Sequence, residues 1–151
     1  MLLETAEIPV SPALANLPTR EQIEVLEAQM RLMEQILIEP VHHFADGLYA
    51  REILIPAGTI LTGKVHSTEH LNIVSQGRIA VWTEDGMKIL AAPCTLISRP
   101  GTKRVGFALE DTVWTTIHKN PDNLTDLVVL EATLIDNTQP ALTTKESVCL
   151  G

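Results

Sequence analysis

Gly58-Thr-Ile-Leu-Thr-Gly-Lys64-Val-His66-Ser-Thr-Glu-His70-Leu-Asn-Ile-Val-Ser-Gln-Gly77 is followed, after fifteen residues, by Pro93-Cys-Thr-Leu-Ile-Ser-Arg99-Pro-Gly101-Thr-Lys-Arg104. Short runs rich in Val, Ile and Leu alternate here with Gly and Pro breaks, the pattern of successive short strands. A strand sends alternate side chains to opposite faces, so an extended segment places Lys64, His66, Thr68 and His70 on one side. With that side turned into a barrel, two imidazoles and an ammonium share one enclosed pocket.

Working outward, the same punctuation continues. Strands are expected at Arg51–Ile55, Thr59–His66, His70–Ser75, Arg78–Thr83, Met87–Ala91, Thr95–Ser98, Arg104–Leu109 and Val113–His118. Pro56-Ala-Gly58 reads as a turn, Glu84-Asp-Gly86 as a hairpin turn in which glycine tolerates positive φ, and Asn120-Pro-Asp-Asn123 as a loop. Asp126–Ile135 reads as a long apolar closing strand, and Val41–Leu48 as a connector whose His42 and His43 point to opposite faces and stay at the surface. This spacing predicts an all-β jelly roll or similar double-sheet barrel over residues 41–136, with a polar, loose tail at 137–151.

Residues 1–40 read as an extended arm and one α-helix. Pro9, Pro12 and Pro18 keep the start extended. Thr19 with Gln22 fits a capping box, and Ile23, Leu26, Met30, Met33 and Leu37 recur three and four apart until Pro40 ends the helix. Such a seam packs either on its own barrel or on the same helix of a second subunit, and with the arm it favours a homo-oligomer.

Composition narrows the partners. The chain has 151 residues, enough for one domain with a real core, and only 3% of them are aromatic, so no stacking platform for bases is expected. A net charge of −8 opposes binding to phosphate backbones, which argues against nucleic acid. No apolar run is long enough to span a bilayer, so no membrane partner is expected. The opening residues lack the features of a signal peptide, and Cys94 and Cys149 show no disulfide or zinc spacing. A cytoplasmic, reduced location is the expectation.

The quoted stretch resembles the two motifs of the cupin family. In the first, Gly58 and Gly77 fall on the glycines and His66 on the second histidine. Lys64 stands at the first histidine and His70 at the glutamate. In the second, Gly101 matches, while Pro93, Arg99, Arg104 and Ala108 replace the glycine, proline, histidine and asparagine. The tract from Ala108 through Ile135 also resembles small cupin-like proteins of tailed bacteriophages, which would place the chain in host cytoplasm or a virion. The resemblance implies a barrel with an inward pocket around Lys64, His66, His70 and Arg104.

Three chemistries are open for that pocket. His66 and His70, with His118 from a later strand, could hold a divalent transition metal such as Zn, Fe, Ni or Mn, as in metal-dependent cupin oxygenases and isomerases. Lys64 and Arg104 disfavour a cation at those positions. They would instead attract a small acidic ligand, Arg104 through a bidentate fork, as in the metal-free sugar-nucleotide epimerases of this fold. An assembly role without either is the third. An inward Arg104 needs an anionic partner, either a protein carboxylate such as Glu69 or Glu131 or a bound anion. Lys103, its neighbour, is expected to face solvent by alternation. Cys94 reads as a small core residue, and Trp82 and Trp114 as core or subunit contacts.

Overall fold

The computed structural model describes residues 20–83, 86–136 and 142–145. Helix α1 (Arg20–Met30) is followed by β1 (Val41–Ala45), β2 (Leu48–Ile55), β3 (Thr59–Thr62), β4 (Val65–His66), β5 (His70–Gln76) and β6 (Arg78–Thr83). Then come β7 (Gly86–Ala91), β8 (Cys94–Ser98), β9 (Val105–Ala108), β10 (Thr112–Lys119), helix α2 (Leu127–Leu134), β11 (Ile135–Asp136) and β12 (Leu142–Lys145). Two five-stranded antiparallel sheets, β1-β2-β10-β5-β8 and β12-β3-β9-β6-β7, face each other, and a small β11–β4 ladder joins them at one end. This is the expected jelly-roll arrangement.

Alternation fixes which residues look inward. On the first sheet Tyr49, Arg51, Ile53 and Ile55 of β2 oppose His118, Thr116, Trp114 and Thr112 of β10. Those in turn stand beside Asn72 and Val74 of β5, across a bulge at Val113 and Trp114. The apolar residues of the second sheet bury in two clusters. One brings Ile79, Val81 and Ala108 together with Ile55 of the first sheet inside the barrel. The other holds Ile60, Ala80, Trp82, Val105 and Phe107 on the outer face of β3, β6 and β9, under α1.

The seam of α1 closes that outer cluster. Ile23, Leu26 and Met30 are at most 2% exposed and pack on it, with Met33 half-buried beside them. Of the two packings open to the seam, the chain therefore uses the one on its own barrel. The helix also stops at Met30, well before Pro40, and Leu37 is 83% exposed rather than part of the stripe. Glu27, on the same buried face, explains how a charged residue fits there. Its carboxylate lies 2.8 Å from Lys103 Nζ and accepts from the Thr62 hydroxyl at 2.5 Å, and Lys103 also donates to the Gly63 carbonyl at 2.7 Å. Lys103 thus does not face solvent. It precedes β9, so strand alternation does not govern it, and its charge is buried because Glu27 meets it.

Three further expectations are corrected. Residues 127–134 form α2, not a closing strand: Asp126 caps them, accepting from the Val128 and Val129 amides. Val41–Ala45 is not a connector but edge strand β1, paired to β2. Leu142–Lys145, inside the segment expected to be a loose tail, is strand β12 on the edge of β3. The Glu84-Asp85 part of the expected hairpin turn lies outside the described residues, as do the arm and Thr19. Among the described residues no helix is long and apolar enough to cross a membrane.

Candidate functional site

The two sheets line a cavity of about 530 Å³, to which residues of α2 and of β11 also contribute. Its contents follow from strand parity. β2 contributes Tyr49, Arg51, Ile53 and Ile55, β10 contributes Trp114, Thr116 and His118, and β5 contributes His70 and Asn72. His66 arrives from β4, and Arg104 from the residue before β9. His66 and His70 do not share one strand, because residues 67–69 break it, but both still reach the cavity.

Three imidazoles meet there. The His66, His70 and His118 rings are 4.3, 4.7 and 4.8 Å apart, centroid to centroid, so every pair is in contact. Burial in this confined space pushes His66 down to about 3 and His118 down to about 4, and the neighbouring rings add to both effects. His70 is lowered too, first by burial and then by Arg104, while its backbone hydrogen bond works the other way. All three are therefore neutral at pH 7. His70 Nδ1 lies 3.1 Å from the Thr68 carbonyl, which can only accept, so Nδ1 carries the proton and Nε2 keeps its lone pair. His118 Nδ1 is buried without a hydrogen-bond partner among the described residues.

Two guanidiniums share the cavity with the rings. Beyond burial, Arg51 adds to the lowering of His66 and His118, and Arg104 to that of His66 and His70. Arg104 is half-buried, and desolvation lowers its pKa from the ordinary arginine value. Its Cζ lies 6.0 Å from the centre of the Trp114 ring. That indole is itself held: Nε1 donates to Asn72 Oδ1 at 3.0 Å, and Asn72 Nδ2 donates to Ser98 Oγ at 2.7 Å. Lys64 also lines the cavity, where it pairs with Glu131 of α2 at 3.0 Å. Glu131 is the one carboxylate among the described lining residues, and it is engaged by that lysine. Glu69 is exposed. Neither arginine forms an ion pair among the described residues.

Comparison with solved structures confirms the architecture. Ectoine synthase from P. lautus aligns over 66% of this chain and 75% of its own, with 13% identity and a TM-score of 0.53. KdgF from Halomonas sp. aligns over 65% and 94%, with 15% identity and a TM-score of 0.50. The fold is a cupin-like jelly roll. A cupin-2 domain protein from Shewanella frigidimarina NCIMB 400 aligns less well, over 63% and 92% at 14% identity and a TM-score of 0.47. No protein-family profile matches the chain, and no curated protein sequence matches it significantly.

The cupin fold implies a metal among the side chains of this cavity. Three neutral imidazoles are a suitable donor set for a transition ion, and the unpartnered His118 Nδ1 is consistent with it. The remaining features oppose it. As they stand, no three of the described His, Cys, Asp or Glu side chains are placed to hold a metal. The positions of two cupin ligands carry Lys64 and Arg104, and among the described lining residues no free carboxylate offsets the two guanidiniums. A resident cation held by the protein alone does not fit.

The sequence reading missed two residues here. Arg51 and Tyr49 share the parity of Ile53 and Ile55, which could have turned them inward once that face was assigned to the core. Trp114, expected as a core or subunit contact, packs on the cluster inside the barrel and also lines the cavity. Tyr49 also links the cavity to β1: its hydroxyl is 2.7 Å from His42 Nδ1, and its ring stacks on His118 at 6.1 Å. His42 is thus half-buried, whereas His43 pairs with Glu52 at the surface.

Proposed function

We propose that this cupin barrel binds a small organic anion, which enters between Arg51 and Arg104 and lies against the three neutral histidines. One observation carries the reading: two guanidiniums line a confined cavity without a carboxylate partner among the described residues. A partly desolvated arginine without an anion costs several kcal/mol, on the order of the penalty for breaking a buried ion pair. A bound carboxylate or phosphate removes that penalty and can be gripped by Arg104 through two parallel hydrogen bonds. His70 Nε2, held as an acceptor, would then be available to take a proton from the ligand.

A second reading is favoured by the ring cluster. A divalent transition ion can join His66, His70 and His118 if the rings turn and an anion accompanies it to offset the arginines.

One experiment separates the two. Thermal shifts are measured with acetate, phosphate and sulfate for untagged protein, before and after chelator treatment, alongside its elemental content. The first reading expects stabilisation by an anion that survives chelation and is lost in Arg104→Gln. The second expects near-stoichiometric metal, lost in His66→Ala, and anion binding that disappears with it. An anion effect unchanged in Arg104→Gln and Arg51→Gln would overturn the first reading.

A further inference from the structure

The cavity has two chemically different ends. One carries Arg51, Arg104 and the histidine cluster. The other is a wall of branched aliphatic side chains, Ile38, Ile53, Ile55, Leu61, Ile79 and Val81, all of which line the cavity and belong to the cluster inside the barrel. The Trp114 ring stands at the boundary, packed on that cluster and near Arg104. No polar side chain interrupts the wall among these six residues. Gly106 keeps this end open: a Cβ there would meet Ile79 Cδ1 at 3.1 Å and Leu61 Cδ2 at 3.2 Å, crowding the two side chains that form the wall.

We propose that the ligand is amphiphilic, an acid whose anionic head meets the arginines and whose compact hydrocarbon body fills the aliphatic end. A purely ionic ligand such as phosphate or acetate would leave that wall against water. A neutral hydrocarbon would leave the guanidiniums without a partner. Only a molecule with both parts satisfies the two ends together, and a volume of about 530 Å³ accommodates a body of several carbons beside the head. Trp114 sets the join: its face supports the Arg104 guanidinium, which leaves the edge N–H groups free for the head. This inference rests on the anion-binding reading and adds the class of the body.

The test uses the full chain and a straight series of acids, acetate, butyrate and hexanoate, with hexanol as the neutral control. Affinity is measured by calorimetry. Each buried methylene should tighten binding roughly fourfold, so hexanoate should bind on the order of a hundredfold more tightly than acetate, and hexanol should bind weakly. Arg104→Gln should weaken all three acids by the same factor. Ile53→Thr, at a half-buried wall position, should flatten the dependence on chain length by weakening hexanoate more than acetate, and its unliganded melting temperature reports that it has folded. Acetate and hexanoate binding equally would overturn the amphiphilic class while leaving the anion reading intact. Hexanol binding as tightly as hexanoate, or no acid binding at all, would overturn the anion reading and this inference with it.

Discussion

Replacing Lys103 with methionine tests the most surprising buried group in the molecule. The Nζ atom lies 2.8 Å from Glu27 and 2.7 Å from the Gly63 carbonyl, and the two charged side chains are 0% and 1% exposed. Lys103→Met removes the positive partner and leaves the Glu27 carboxylate in the core with the Thr62 hydroxyl. Breaking a buried pair from one side costs about 3–5 kcal/mol. For a chain of this size each kcal/mol moves the melting temperature by about 2–4 °C, so a drop of about 6–20 °C is expected. Glu27→Leu combined with Lys103→Met removes both charges, and such replacements are often neutral or stabilising. The lost partners of Thr62 and Gly63 offset part of that gain, so the double variant should return to within about 2 kcal/mol of the parent. Urea unfolding at constant pH gives both values as shifts in midpoint at unchanged slope. A single-variant cost below about 1 kcal/mol would refute the reasoning, as would a double variant no more stable than Lys103→Met.

Two further outcomes follow from features described above. The histidine cluster predicts acid sensitivity. His66 and His118 titrate at about 3 and 4 when folded, against about 6.5 unfolded. Between those values the unfolded chain binds more protons, so stability falls as pH drops below about 6.5 and is unaffected above it. His66→Gln should make the loss between pH 6.5 and 5 shallower in pH-dependent urea unfolding, and an unchanged slope would contradict the assignment. Gly77 lies at φ +86, and a Cβ there would be driven into the Asp111 carbonyl oxygen. Gly77→Ala should therefore lower the melting temperature well beyond Gly58→Ala, which has open space at φ +82. Equal effects in a side-by-side scan would show that the close approach is relieved without cost.

The barrel was legible because Gly and Pro mark strand ends and because strand parity is strict. Parity put His66 and His70 on one side, and both reach the cavity even though residues 67–69 interrupt the strand between them, while His118 was named only as a residue of a later strand that could join them. What failed was reading outside regular strands. Lys103 lies just before β9, where alternation has no force. Leu127-Val-Val-Leu-Glu-Ala-Thr-Leu134 is apolar except for Glu131 and Thr133, and such a short, mostly apolar run fits a buried strand or a helix equally. The deciding signal was Asp126 as a cap. Leu142–Lys145 is too short and polar to declare itself, and gains its strand only from pairing with β3. Arg51 was placed in a strand but given no direction, although its neighbours at Ile53 and Ile55 supplied one.

The two tryptophans divide the molecule into separately observable halves. Trp114 lines the cavity beside Arg104, whereas Trp82 is buried at 3% exposure under α1 in the cluster on the opposite face of the second sheet. Intrinsic fluorescence therefore carries two independent channels. With Trp82→Phe, emission reports on what enters the cavity. With Trp114→Phe, it reports on whether the helix remains seated. Occupancy of the pocket and departure of α1 can thus be followed in one chain without an added label.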